Sequence, residues 1–140
     1  MAALIICLPS SAQTIVSGIR YRVEVDKPFD TVLEDIEFAI TEHNFRITGD
    51  NTVGEVIAKR HGEPFPRSTI IHFCNLEYAR ELLLIDVDYL LHMPCKIAVS
   101  QQGGRVIVET LLLPEDNPQA AALSAEINAI LKAIVDYTLE

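Results

Sequence analysis

Two spacings of apolar residues alternate along the chain, and each change of spacing marks a new element. From Gly18, "GIRYRVEV" puts Ile19, Tyr21, Val23 and Val25 on one side and Arg20, Arg22 and Glu24 on the other. Period two predicts a strand with one buried face. Phe29, Val32, Leu33, Ile36, Ala39 and Ile40 then recur at helical spacing. This predicts a helix capped by Asp26, with Pro28 in its first turn and Asn44 as a left-handed stop. "FRITGD" reads as a short strand, and "TVGEVIAKRHGEPFP" as a smaller helix followed by a loop. In that helix Thr52 and Glu55 have capping-box spacing, Val56 and Ile57 face inward, and Gly62 closes the last turn.

"STIIHFC" is apolar on both faces and predicts a central strand. Asn75 is a natural cap for a helix through "LEYARELLLIDVDYLL", with Ala79, Leu82 and Leu83 inward and Pro94 ending the excursion. "CKIAVSQQGGRVIVETLLL" predicts a hairpin turning at Gly103-Gly104. Asn117 and Pro118 then open a helix with Leu123, Ile127, Ile130, Leu131, Ile134 and Thr138 in one stripe. The order is strand, helix, strand, short helix, strand, helix, hairpin, helix. It predicts an α+β fold of two layers, a mostly antiparallel sheet with helices on one face, in a single domain over 1–140.

Composition narrows the classes of function. With 140 residues, 49% hydrophobic and 22% charged, the chain can bury a core without staples. Five Phe, four Tyr and no Trp argue against an aromatic platform for stacking bases or sugars. A formal charge of −9, with scattered Lys and Arg, argues against nucleic acid and anionic membrane as partners. Three cysteines in no scaffold spacing favour a reducing, cytoplasmic setting. "MAALIICLPSSAQ" has a short apolar run and no Lys or Arg before Arg20, unlike a secretory signal. Residues 1–17 are expected to be dispensable for the fold, with Cys7 a small apolar residue.

The unusual chemistry lies in two pairs, His72-x-Cys74 and His92-x-x-Cys95. If the two strands concerned are antiparallel neighbours, Cys74 ends one beside the start of the other at Cys95. His72 lies on the same strand face as Cys74. Cys74, Cys95, His72 and His92 together form a donor set for zinc or another thiophilic metal. Cys74 also precedes a helix start, where amides and dipole favour a thiolate. That supports a second reading, a thiol-redox or sulfur-handling protein using Cys74 and Cys95. The plainer reading is that both cysteines are independent packing residues in a structural interaction module. Asp86 and Asp88 read as a solvated turn, Glu115 and Asp116 as helix-start charge, and Lys59-Arg60-His61 as the basic end of a helix. No nucleophile elbow, P-loop or dinucleotide glycine pattern occurs.

"FCNLEYARELL" and "MPCKIAV", followed by the "QQGGRVIVET" hairpin, resemble the domain of unknown function 302 family over roughly residues 18–114. The resemblance implies a curved sheet of the TATA-binding-protein-like kind, without implying DNA binding. Leu76 stands where the family commonly has Pro, and Met93 where it has Leu. Cys74 and Cys95 place the chain nearest a branch with a cysteine in both motifs. The family carries no established activity to transfer. The expectation is therefore a small cytoplasmic binding or accessory protein with a thiol-lined metal or cofactor site, no catalytic set, and a homodimeric assembly through the apolar "LLLIDVDYLL".

Overall fold

A computed structural model describes residues 15–17 and 19–140, and within them the changes of spacing become changes of element. Strand β1 is Ile15–Ser17, β2 Arg20–Val25, and helix α1 Phe29–Glu42. Strand β3 is Arg46–Asn51, α2 Val53–His61, β4 Ser68–Cys74 and α3 Leu76–Ile85. A 3₁₀ turn over Val87–His92 leads to β5 (Cys95–Gln102), β6 (Arg105–Leu111) and α4 (Ala121–Tyr137).

The strands lie in the order β1-β2-β6-β5-β4-β3, and every neighbouring pair is antiparallel. The centre of the sheet is thus the β5–β6 hairpin, which turns at Gly103 with φ 60°, a left-handed position that glycine adopts without cost. Alternation sends Val23, Ile71, Phe73, Ile97 and Val99 into the core. There they meet Val32, Ile36 and Ile40 of α1 and Ile127, Leu131 and Ile134 of α4. Arg22, Glu24, His72, Lys96 and Ser100 alternate with these and look out from the other face. This is the two-layer α+β arrangement that the spacing predicts.

Several local expectations are corrected. Helix α1 begins after Pro28 with no side-chain cap, so Asp26 does not open it. Thr52 makes no side-chain cap bond either, and the Glu55 carboxylate, the other half of the expected box, is taken by Arg67 at 2.8 Å. Val56 is exposed and Ile57 only half-buried. Gly54 is the buried residue of α2, and backbone of 66–68 presses on it. Strand β4 is an interior strand, paired with β3 on one side and β5 on the other, but its buried face alternates with a half-buried one.

The long helix from Asn75 breaks at Asp86, whose side chain accepts from the Asp88 amide at 2.9 Å. That local bond competes with helix propagation and turns the chain into the 3₁₀ segment. Helix α4 starts at Ala121, a turn later than Asn117, whose side chain accepts from the Gln119 amide at 3.0 Å. Strand β1 was not expected, and it pairs with β2 from inside the stretch read as dispensable. The remainder of that stretch, with Cys7 and the "ALIICL" run, lies outside the described residues. Among the described residues no helix is long and apolar enough to cross a membrane.

Candidate functional site

The register of β4 on β5 decides where the paired cysteines and histidines go. Phe73 faces Cys95, and His72 faces Lys96. Phe73 and Cys95 therefore share the core side, whereas His72 and Lys96 share the open side. Cys74 is one residue out of register with Cys95. Strand spacing and rise put such Cα atoms on the order of 6 Å apart. Both thiols are free.

Asn75 caps α3, accepting from the Glu77 amide at 3.0 Å and the Tyr78 amide at 3.2 Å. Its amide nitrogen donates to the Asn44 carbonyl at 3.1 Å, tying the end of β4 to the turn after α1. Asn44 takes the left-handed conformation there, φ 61°. The first helix amides are thus committed to Asn75 and not to the thiol beside it. Burial pushes the Cys74 thiol up. Burial first, and the neighbouring Cys74 second, push Cys95 up to about 11. Both shifts run opposite to the expected activation of Cys74 and favour the neutral thiols.

A cavity of about 110 Å³ opens at this end of the sheet. His72 and Lys96 come to it from the open face, and Cys95 from the start of β5. His92, Met93 and Pro94 cross over it, with the Met93–Pro94 peptide in the cis form. Leu91 and Leu111–Leu113 supply the apolar walls.

Two anchors hold these walls against α4. Tyr89 is buried, with its hydroxyl 3.3 Å from the Ser124 hydroxyl and 3.4 Å from the Pro114 carbonyl, and its ring lies against that of His92. Asn128 accepts from the Leu113 amide at 2.7 Å and donates to the Leu113 carbonyl at 2.9 Å. One side chain thereby satisfies both backbone groups of a buried residue that has left the sheet.

The four residues singled out in the sequence are divided between two spaces. His72, His92 and Cys95 line the 110 Å³ cavity. Cys74 does not; it meets Cys95 and His92 in a narrow crevice against Phe45, Tyr78 and Leu82 on the helical side. Among the described residues no three His, Cys, Asp or Glu side chains are arranged to hold a metal ion. Beyond His92, Asp86, Asp88 and Asp116 border a separate, wider groove.

Lys96 and Asn128 were missed in the sequence, although each left a trace there. Lys96 follows Cys95 on a strand, so it must point to the opposite face, toward His72. Ser124 and Asn128, four apart, place polar groups within the buried stripe of α4.

The family model for the domain of unknown function DUF302 matches residues 21–137. The crystal structure of an uncharacterized conserved protein DUF302 from Bacillus stearothermophilus superposes with a TM-score of 0.77 at 22% identity. The match covers 87% of this chain and 99% of that one, and at this identity the likeness is one of fold. No curated protein matches the sequence.

Proposed function

Because the chain belongs to the DUF302 family, whose description carries no activity, we propose from its own geometry that it is a small ligand-binding accessory protein. The ligand site is the cavity shared by His72, His92, Cys95 and Lys96. One observation carries this reading: four residues with polar side chains, from β4, the 3₁₀ turn and β5, line one cavity beside the apolar Leu111–Leu113. A concave space with a few polar groups among apolar ones is the pattern of a ligand site, and its volume of about 110 Å³ restricts it to a very small ligand. A cytoplasmic setting belongs to the same proposal.

A thiophilic metal on Cys74, Cys95, His72 and His92 fits the donor chemistry; His92 and Cys95 line both spaces, but His72 and Cys74 line different ones and would have to turn toward each other. The neutral thiols weigh against redox exchange, which needs a thiolate. A homodimer completes the proposal. Leu84, Val87, Leu90 and Leu91 are exposed along one stretch, and Leu91 also walls the cavity, so a second copy there would close the site.

The test is a fragment screen by nuclear magnetic resonance on the full chain, with zinc among the additives. Perturbation confined to His72, His92, Lys96 and Leu111–Leu113 supports the reading. Saturable zinc uptake that is lost on Cys74→Ser would transfer the site to the metal set. A screen in which nothing reaches the cavity sinks the proposal.

A further inference from the structure

We infer that the ligand of this cavity is a small oxyanion, either the carboxylate of an organic acid or an inorganic oxyanion. The inference rests on the binding reading above and adds the chemistry of what is bound.

The residues with polar side chains around the cavity are His72, His92, Cys95 and Lys96, each able to donate a hydrogen bond, and none of the lining residues is an Asp or Glu. In a chain with 20 acidic and 11 basic residues, a lining of this kind runs against composition. His72 and Lys96 are directly opposed across β4 and β5, so two donor side chains stand side by side. Such a pair can donate jointly to an acceptor held between its members.

Among the described residues none of the ion pairs involves Lys96, His72 or His92; Arg46, Lys59, Arg60, Arg80 and Lys132 share that property, and Lys96 differs from them in lining the cavity. Cys95 as a neutral thiol brings no negative charge to the site. The acids of the neighbouring groove, Asp86, Asp88 and Asp116, lie beyond His92 and take no part in the lining.

Size restricts the ligand further. A volume of about 110 Å³ corresponds to a few waters. It admits acetate, propionate or sulfate and is too small for a nucleotide. Leu112 and Leu113 are buried and give the space an apolar wall on their side, where a charge-assisted hydrogen bond is stronger than in open water.

The experiment compares acetate with acetamide, which has nearly the same shape and no charge, and both with sulfate, by calorimetry and imidazole resonances on the full chain. Acetate is expected to bind about ten-fold tighter than acetamide or better, because charge-assisted bonds are roughly twice as strong as neutral ones. Lys96→Met, which keeps an apolar stem at an exposed position, should remove most of that advantage by weakening acetate far more than acetamide, with the thermal melt unchanged. Sulfate binding tighter than acetate assigns the inorganic source, and the reverse order assigns an organic acid. If acetamide binds as tightly as acetate, the oxyanion inference fails while the binding reading stands. If Lys96→Met leaves acetate affinity intact, the inference fails in the same way. If none of the three probes reaches the His72 and His92 signals, the oxyanion inference is overturned, and the wider fragment screen decides the binding reading alone.

Discussion

Replacing Asn128 by alanine should loosen the segment that walls the cavity, and the cost can be worked from the structure. The change removes the acceptor of the Leu113 amide at 2.7 Å and the donor to its carbonyl at 2.9 Å. Leu113 is buried, so both groups lose their partner out of reach of bulk water. An unsatisfied buried group costs about 1–3 kcal/mol. Alanine gives back roughly half a kcal/mol of helix propensity, and partial hydration reduces the total further. The expected loss is about 2–4 kcal/mol, which for a domain of this size lowers the melting temperature by roughly 10 °C. Urea melts followed by circular dichroism measure it as a lower midpoint at unchanged slope. Hydrogen exchange at the Leu113 amide should accelerate in parallel. Asn128→Asp separates hydrogen bonding from packing. Its acid form can both accept and donate, so its deficit should shrink as pH falls, whereas the deficit of the alanine variant stays constant. A loss below about 0.5 kcal/mol in Asn128→Ala, the usual range for inert surface changes, would refute the clamp.

Gly54→Ala would place a methyl group 2.6 Å from the Ser68 amide nitrogen and closer still to the Pro66 carbonyl oxygen. It should cost about 1–3 kcal/mol, whereas Gly49→Ala meets nothing within 4 Å and should stay within about 0.5 kcal/mol; thermal melts of the two decide this. In a Cys7→Ser background, both remaining thiols should react with iodoacetamide at neutral pH more slowly than free cysteine, with rates that keep climbing at the pH where free cysteine levels off. Rapid labelling of Cys74 at neutral pH would revive the redox reading. Burial and the hydrogen bond to Asp136 push the Tyr21 hydroxyl up to about 12. Its folded form holds the proton more tightly than the unfolded form, so its contribution is complete below pH about 10 and is lost between there and about 12. The decline should be weaker in Tyr21→Phe when unfolding is followed across that range.

Most of the fold could be read because most elements show one clear period. Tyr21, Val23 and Val25 alternate without interruption, and the α1 stripe from Phe29 to Ile40 has no competing pattern. The reading failed where a polar side chain had two possible partners. Glu55 could complete a capping box with Thr52 or pair with Arg67, and the partner that decides lies twelve residues away. Asp86 could continue a helix or cap the next turn, and periodicity through "LLLIDVDYLL" does not distinguish these. For the candidate site, the sequence pairs the two cysteines and their histidines by residue type. The one-residue offset of the register, Phe73 and not Cys74 opposite Cys95, leaves the thiols as diagonal neighbours and sets His72 opposite Lys96. Registers follow from turn and bulge geometry at both ends of a strand, which no local spacing in this stretch encodes.

The placement of β2 beside β6 has a consequence for how the protein comes into being. Val25 finds its partner in Val106, 81 positions later (106 − 25), and until then β2 has no inner neighbour in the sheet. At about 5–20 residues per second, a ribosome takes roughly 4–16 s to cover that interval. During that time Tyr21, Val23 and Val25, with the apolar side of α1, travel on the nascent chain without the sheet that will cover them. The β5–β6 hairpin, made last among the strands and closed by its own turn, is the part able to form at once. Birth order and assembly order therefore run in opposite directions. A message cut short before Arg105 yields a polypeptide that holds β3 against β4 but leaves its first long strand unpartnered on its inner side, the kind of product that chaperones and proteases collect.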